Sequence, residues 1–303
     1  MSVNKQKLIV ILGPTASGKS DLGVNLAKIF NGEIISADSR QVYRGLDIGS
    51  GKINKKDMQD IPHYLLDIVS PRKQFSVSEY QRLAEKVIAG ILKRGKLPML
   101  VGGSGMYIDA VLYGAPYPEV PPNKKLRTIL EKKSLEDLMR ILKIKDSSRA
   151  KTIDQHNKRR IIRALEIIAT TKKPIPQLIK IPRFDILMLG VDRTKKELER
   201  RIMTRLEKRL HGGMVQEVKK LLKDGISYTR LYDLGLEYRF VSEYLRDKLT
   251  KKEMVEKLFH AILQYSKRQK TWFRQYHKII WIRTSREAKK YIRLFLKKNR
   301  LYE

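Results

Sequence analysis

The chain has 303 residues, with 65 lysines and arginines against 32 aspartates and glutamates, which gives a formal net charge of +33. A hydrophobic content of 42% excludes a fully disordered chain, and the absence of cysteine excludes disulfides and cysteine-ligated zinc sites. So basic a surface attracts phosphate polyanions, because their binding releases condensed counterions.

The positive charge is distributed unevenly. Residues 1–115 carry 16 basic and 10 acidic side chains (+6), residues 116–183 carry 18 and 7 (+11), and residues 184–303 carry 31 and 15 (+16). A lysine-rich, AT-biased genome alone would give a flatter distribution, so a polyanionic partner that contacts the later parts of the chain is favoured. The apolar run Leu8–Leu12 is too short for a signal sequence or a membrane span. We therefore expect a cytoplasmic protein without membrane contact.

The first part of the chain alternates strands and helices. An apolar strand is predicted at Lys7–Leu12, followed by a glycine-rich loop and a helix over Lys19–Phe30. Further strands are predicted at Glu33–Ser36 and Leu97–Val101, and the second leads into a helix near Gly105. This alternation predicts an α/β fold with a parallel sheet, in which ligands bind at the carboxyl ends of the strands.

A phosphate-binding loop is predicted between the first strand and the first helix. It fits G-x-x-x-x-G-K-[ST] in the context that this motif requires, and its residues are Gly13, Pro14, Thr15, Ala16, Ser17, Gly18, Lys19 and Ser20. Loop amides and the helix N-terminus bind a diphosphate or triphosphate, Lys19 adds a charge, and the Ser20 hydroxyl can hold Mg²⁺. Asp38, which follows the second predicted strand, can position a metal, as in a nucleotide kinase, or act as a base, as in a transferase. The phosphate loop alone does not distinguish these two classes of enzyme.

Residues 114–183 interrupt the alternation of strands and helices. Four prolines lie in the first ten of them, where neither a helix nor a central strand can continue. The basic segment Leu126–Ile168 has helical periodicity, and an apolar strand returns at Phe184–Val191 before a series of amphipathic helices. We predict a P-loop NTPase-like parallel sheet core, formed by residues 1–113 and 184–303, that carries a basic helical insertion domain.

Five longer blocks and one pair of residues follow one another along nearly the whole chain. They are SADSRQVYRGLDIGSGK (36–52), IPHYLLDIV (61–69), VGGSGMY (101–107), NKRRIIRALE (157–166), DR (192–193) and KRQKTWFR (267–274). Together with the phosphate loop they resemble the bacterial type of the tRNA dimethylallyltransferase (tRNA isopentenyltransferase) family. Ser50 and Ser104 stand where that family usually has threonine, and Leu234–Tyr238 departs from its more common Ile-Gly-Tyr.

The resemblance implies an activity and a set of residues. The dimethylallyl group of dimethylallyl diphosphate would be transferred to the N6 amine of adenosine 37, beside the anticodon of tRNAs that read codons beginning with U. Asp38 would be the catalytic base, Arg201 and Thr15 would assist at the diphosphate, and the phosphate loop would hold that diphosphate with Mg²⁺. Contacts with the anticodon stem-loop are implied for Asp38, Ser39, Arg40, Gln41, Ser104, Arg159, Arg160, Ile161, Ile162, Arg163, Lys267, Arg268 and Arg274.

Three other functions are compatible with parts of the pattern. A prenyltransferase acting on free adenine nucleotides shares the loop and Asp38 but does not need a charge of +33. A P-loop nucleotide kinase would consume ATP, and a basic RNA-binding protein with a regulatory nucleotide site would bind without turnover. We expect the tRNA-modifying enzyme, acting as a monomer without an obligate protein partner.

Overall fold

A computed structural model of the chain describes residues 5–114, 117–176 and 180–297. Contacts divide the chain into two compact units, one formed by Met1–Leu112 and Pro182–Glu303 and the other by Tyr113–Ile181. The first unit contains β1 (Lys7–Leu12), α1 (Lys19–Ile29), β2 (Gly32–Ala37), α2 (Lys55–Met58), β3 (His63–Tyr64), α3 (Val77–Lys93), β4 (Leu97–Gly102) and α4 (Gly105–Tyr113). The second contains α5 (Lys124–Glu131), α6 (Leu135–Lys145), α7 (Ser147–Thr152) and α8 (Lys158–Thr171).

The chain then returns to the first unit. It forms β5 (Asp185–Val191), α9 (Lys195–His211), α10 (Met214–Lys223), α11 (Tyr228–Leu234), α12 (Leu236–Tyr244), α13 (Lys251–Phe273), β6 (Ile279–Ile282) and α14 (Ser285–Lys297). Strand β6 was not predicted from the sequence, because its four residues lie between two long amphipathic helices whose periodicity dominates that region. Among the described residues, no helix is both long enough and apolar enough to span a membrane.

The strands of the first unit form one sheet in the order β3-β2-β4-β1-β5-β6, and every pairing is parallel. This confirms the predicted α/β fold with a parallel sheet. The register places Leu12 of β1 level with Gly102 of β4, and Ala37 of β2 level with the same glycine. The carboxyl ends of these three strands therefore lie at one edge of the sheet.

Both faces of the sheet are buried. Ile9 and Ile11 of β1 pack in one hydrophobic core with Val24 of α1 and Ile292 of α14. The intervening β1 side chains are also fully buried, and they point to the opposite face because side chains alternate along a strand. There α3 contacts β2 and β4. Strands covered on both faces are continuous apolar runs, which is the pattern that the sequence shows in β1.

The second unit has a separate helical core. Apolar side chains from α5, α6, α7 and α8 form it, and Leu138, Leu142 and Ile161 are fully buried there. The carboxylate of Glu166 is also fully buried in this unit, where it accepts hydrogen bonds from the guanidinium groups of Arg127 and Arg163. Burial alone would raise the pKa of Glu166, but these bonds hold it below its usual value.

Candidate functional site

Three loops meet where β1, β4 and β2 end. They begin with Gly13 after β1, Gly103 after β4 and Asp38 after β2, and the aligned register brings them to the same edge. Because neighbouring strands lie about 4.8 Å apart, the phosphate loop and Asp38 leave the sheet about 10 Å from each other, with the Gly103 loop between them. This spacing leaves room for a small molecule between the loop and the carboxylate.

The phosphate loop has the backbone conformation that its motif requires. Ala16 and Gly18 have positive φ angles of 60° and 91°, and Gly18 caps α1 without a side-chain hydrogen bond. The first amides of a helix have no helical acceptor, so those of α1 are available to an anion. The hydroxyl of Ser17 is buried and makes no hydrogen bond within the described residues.

Lys19 is held in the loop in a poorly solvated position. Its Nζ donates to the carbonyl of Pro14 at 3.3 Å. Burial lowers the pKa of Lys19 to about 8; Asp38 opposes this shift, and Arg205 and Arg209 add to it. Asp38 is thus within electrostatic reach of the loop lysine, as the sheet register requires. A bound polyanion would restore the full charge of Lys19.

One face of α9 lines the same region with arginines. Arg201 Nε donates to the carbonyl of Ala16 at 2.6 Å, and Arg205 donates to the carbonyl of Gly51 at 3.1 Å. Arg209 pairs with Glu237 at 2.9 Å. Burial, followed by repulsion from Arg209, lowers the pKa of Arg205 to about 10.

Sequence reasoning identified only the first of these three arginines. Arg201, Arg205 and Arg209 recur every four residues, which places them on one helical face, and this spacing is the signal that could have identified the other two. With Lys19 they bring four cations to a site where three carboxylates act on them, those of Asp21, Asp38 and Glu237. The site therefore has an excess of positive charge and suits an anion such as a diphosphate.

Asp38 is oriented by its own loop and lies within electrostatic reach of three tyrosines. Its Oδ1 accepts the amide hydrogen of Arg40 at 2.9 Å. Tyr107 stacks on Tyr80 with 3.8 Å between ring centroids. Burial first, and the charge of Asp38 among further causes, raises the pKa of both, and that of Tyr265 to about 12. These phenols therefore stay neutral near neutral pH.

The residues present fit a magnesium ion that is bound mainly by the oxygens of a diphosphate and only partly by the protein. Ser20 stands in the first turn of α1, where the motif places a metal-binding hydroxyl. The described part of the chain contains no group of three histidine, aspartate or glutamate residues that could hold a metal. Mg²⁺ keeps several waters and is commonly bound by one or two protein oxygens together with substrate phosphates.

The residues predicted to contact RNA differ in their exposure and in the hydrogen bonds that they make within the protein. Ser39 and Ser104 are joined, because the Ser39 amide donates to Ser104 Oγ at 2.9 Å. Gln41 donates to the carbonyl of Gly51 and accepts from Ser36, so its amide is engaged within the protein. Arg40 is exposed and donates to the carbonyl of Asp233. Three further predicted contacts, Lys267, Arg268 and Arg274, are all exposed.

The predictions in the second unit need a partial correction. Arg159 and Arg160 are exposed on α8. Ile161 and Ile162, in contrast, lie in the hydrophobic core of that unit, with 0% and 5% of their surface exposed. Their side chains cannot contact RNA there, because helical periodicity turns them inward. Arg163 is only partly free, since it binds Glu166 and donates to the carbonyl of Val120 at 2.8 Å.

Comparison with known proteins gives one consistent result. The IPP transferase family model matches residues 41–276. tRNA dimethylallyltransferase 1 of Geotalea uraniireducens is 45% identical over 270 residues, which cover 88% of each chain. The tRNA dimethylallyltransferase of a Thermoanaerobacter species is 41% identical over 286 residues, which cover 91% of each.

Solved structures give the same answer. The tRNA isopentenylpyrophosphate transferase of Bacillus halodurans is 36% identical with a TM-score of 0.74, covering 97% of this chain and 98% of that one. A eukaryotic dimethylallyltransferase acting on tRNA is 27% identical with a TM-score of 0.74, covering 88% of this chain and 70% of that one. The sequence matches and the shared fold agree, and the chain belongs to the tRNA dimethylallyltransferase (IPP transferase) family.

Proposed function

We propose that this protein transfers the dimethylallyl group of dimethylallyl diphosphate to the N6 amine of adenosine 37 in tRNA. The observation that carries the proposal is the placement of Asp38 and the phosphate loop at the same sheet edge, two strands apart, amid an excess of positive charge. Names of relatives that specify tRNA dimethylallyltransferases support the same substrates. Adenosines beside the anticodon in tRNAs reading U-starting codons are the proposed targets.

The proposed reaction exchanges one bond for another. The N6 nitrogen of adenine forms a bond to the terminal allylic carbon, and the bond between that carbon and the diphosphate oxygen breaks. The amine loses one proton, which the carboxylate of Asp38 accepts. Because the amine lone pair is delocalised into the adenine ring, a positioned base is needed to make it an effective nucleophile.

The leaving diphosphate gains negative charge as the bond breaks. Lys19, Arg201 and the amides at the start of α1 would stabilise that charge, and the two side chains are held by loop carbonyls before the reaction begins. Thr15 lies in the same loop, where its hydroxyl can assist at the diphosphate. Ser20 would hold Mg²⁺, which would supply further positive charge beside the diphosphate oxygens.

An adenine in a tRNA loop must leave its stack to enter this site. The extruded base would lie beside Asp38, which is within electrostatic reach of the stacked pair Tyr80 and Tyr107. Exposed basic residues of α8 and α13 are proposed to bind the phosphates of the anticodon stem-loop; they are Arg159, Arg160, Lys267 and Arg268. A net charge of +33 favours tRNA over a free adenine nucleotide.

One assay tests the proposal. The protein is incubated with dimethylallyl diphosphate, Mg²⁺ and either tRNA or AMP, and the adenine products are analysed by mass spectrometry. We expect dimethylallyl addition to tRNA, lost in a matched tRNA in which the adenosine at position 37 is replaced by guanosine. Transfer to AMP and not to tRNA would replace the proposal by the free-nucleotide enzyme. ATP turnover without any transfer would replace it by a kinase.

A further inference from the structure

The side-chain amide of Gln269 joins two of the three loops at the catalytic sheet edge. Its Oε1 accepts the amide hydrogen of Thr15 at 2.8 Å, and its Nε2 donates to the carbonyl of Gly103 at 2.9 Å. Gln269 is 6% exposed and lies on α13, more than 250 residues from the loop that it holds. We propose that Gln269 is a positioning residue for the diphosphate loop.

The geometry selects a primary amide at this position. One end of the side chain must accept a hydrogen bond and the other must donate one, and in the protein interior each unmade bond leaves a buried polar group unsatisfied. Gly103 has no side chain, and a Cβ at that position would collide with Nε2 of Gln269. The absence of a side chain at residue 103 therefore lets the amide approach the strand end.

The residue after Gln269 reaches the other side of the loop. Lys270 Nζ donates to the carbonyl of Arg193 at 2.9 Å, and Arg193 Nε donates to the carbonyl of Ser17 at 3.3 Å. Two consecutive residues of α13 thus restrain the loop, directly at Thr15 and through Arg193 at Ser17. The segment between these points contains Ala16, whose φ of 60° is unfavourable for a residue with a side chain.

This arrangement assigns a specific task to Gln269. By engaging the amide of Thr15, it fixes the orientation of the peptide that precedes the amides of Ala16 and Gly18 in the loop that is proposed to bind the anion. Without that bond the peptide can rotate, and the amides no longer converge on one anion before it arrives. Loss of Gln269 should therefore weaken diphosphate binding more than it weakens tRNA binding.

The test measures binding of inorganic pyrophosphate with Mg²⁺ by isothermal titration calorimetry in the full-length chain. Gln269→Leu removes both hydrogen bonds at nearly constant volume and should raise the Kd of pyrophosphate about tenfold or more. The Kd of tRNA, measured with the same protein preparation, should differ from that of the wild type by less than about threefold. Tyr276→Phe is the control, because it also removes a buried hydrogen bond, from Tyr276 to Asp109 at 2.5 Å, but not one to the loop.

A second variant separates positioning from a general loss of packing. Gln269→Glu keeps an acceptor for Thr15 but places a carboxylate oxygen against the carbonyl of Gly103, which repels it until that carboxyl is protonated and can donate. The ratio of its pyrophosphate Kd to that of the wild type should therefore fall as the pH is lowered, and the ratio for Gln269→Leu should not. Each variant is compared with the wild type at the same pH, so the titration of pyrophosphate cancels.

Two outcomes would overturn the inference. One is wild-type affinity for pyrophosphate in Gln269→Leu, and the other is an equal loss of affinity in Tyr276→Phe. The inference rests on the proposed function only in taking Gly13–Ser20 as the loop that binds the diphosphate. Pyrophosphate binding that depends on Gln269 in a protein without prenyl transfer would remove the proposed reaction and leave the positioning role intact.

Discussion

The hydroxyl of Tyr238 donates to Oε1 of Glu217 at 2.9 Å and accepts the amide hydrogen of Ser50 at 3.1 Å. The same carboxylate accepts the three consecutive amides of Asp47–Gly49, at 2.7 to 3.0 Å. Glu217 thereby provides hydrogen-bond acceptors for the backbone amides of a turn that lies outside any helix or strand. The segment that follows Asp38 is thus fastened to α10 and α12 by one carboxylate and one phenol.

Removing the phenol should loosen that segment. Tyr238→Phe leaves the partly buried Ser50 amide without its acceptor and should lower the free energy of unfolding by about 1–2 kcal/mol. Urea denaturation followed by circular dichroism measures the change. Tyr228→Phe serves as the control, because Tyr228 is 39% exposed and its change should stay within about 0.5 kcal/mol. Equal effects of the two variants would contradict the role of the hydroxyl.

Gly51 and Gly95 form a natural pair for testing steric contact with the arginines. Both have positive φ angles, 62° and 66°. A Cβ at Gly51 would collide with the guanidinium groups of Arg205 and Arg209, whereas a Cβ at Gly95 meets nothing within 4 Å. Each change to alanine should cost about 1 kcal/mol through its backbone, but only Gly51→Ala should also displace the arginines and reduce transfer. Rates measured at saturating tRNA would distinguish them; equal rates would show that the contact is dispensable.

The base role of Asp38 can be separated from its structural role. Oδ1 of Asp38 accepts from the Arg40 amide, and asparagine can keep that bond, so Asp38→Asn should preserve the loop. Turnover should fall by a factor on the order of 10²–10⁴ while the Kd of tRNA changes little. Single-turnover kinetics and filter binding measure the two quantities. Normal turnover per complex together with lost binding would identify Asp38 as an RNA contact.

Lys19 makes diphosphate binding dependent on pH. With a pKa of about 8 in the free protein, half of the lysine is neutral near that pH, and a bound polyanion would raise its pKa again. The bound state then holds more protons than the free state, so affinity should weaken as the pH rises through about 8, and binding should take up protons. Calorimetry in buffers of different ionisation enthalpy detects that uptake. Lys19→Arg, whose charge does not titrate in this range, should reduce it; an unchanged uptake would assign the protons to another group.

Two arginines on α8 should behave differently although they are one turn apart. Arg160 is 58% exposed, and Arg160→Ala should weaken tRNA binding and reduce the slope of log K against log salt by about 1. Arg163→Ala should mainly lower stability, by about 1–3 kcal/mol, because Glu166 remains fully buried with one fewer partner. An unchanged salt slope for Arg160→Ala would remove it from the RNA interface. A salt effect of Arg163→Ala without loss of stability would reverse the assignment.

The parts of the fold with a strong local signal were predictable from the sequence. The strand at Leu8–Leu12 and the helix after the glycine-rich loop follow from apolar continuity and glycine placement, and the structure confirms both elements. Strand β6 was missed, since four residues between two helices carry no distinguishable period. The inward orientation of Ile161 and Ile162 follows from the helical periodicity of α8. The family resemblance, in contrast, implied RNA contact for all five residues from Arg159 to Arg163.

The site was less predictable because much of it depends on contacts between distant segments. The sequence around Arg205 and Arg209 is typical of an exposed basic helix. Their burial depends on contacts with Gly51 and Glu237, which are distant in the sequence. Gln269 gave no signal of its own, since its two partners lie more than 160 residues away. Only the pairing of strands determines that Thr15 and Gly103 end at the same edge.

The bonds that Arg201 and Arg205 make to the carbonyls of Ala16 and Gly51 have a thermodynamic consequence for the ligand-free chain. Like charges are locked close together during folding, so the empty protein carries electrostatic repulsion that an anion relieves. A ligand that binds only the native state stabilises it by RT ln(1 + [L]/Kd), and the relief of that repulsion lowers the Kd of an anion. The melting temperature should accordingly rise more with pyrophosphate than with an equal concentration of a monovalent anion, and the added stability should fade in concentrated salt.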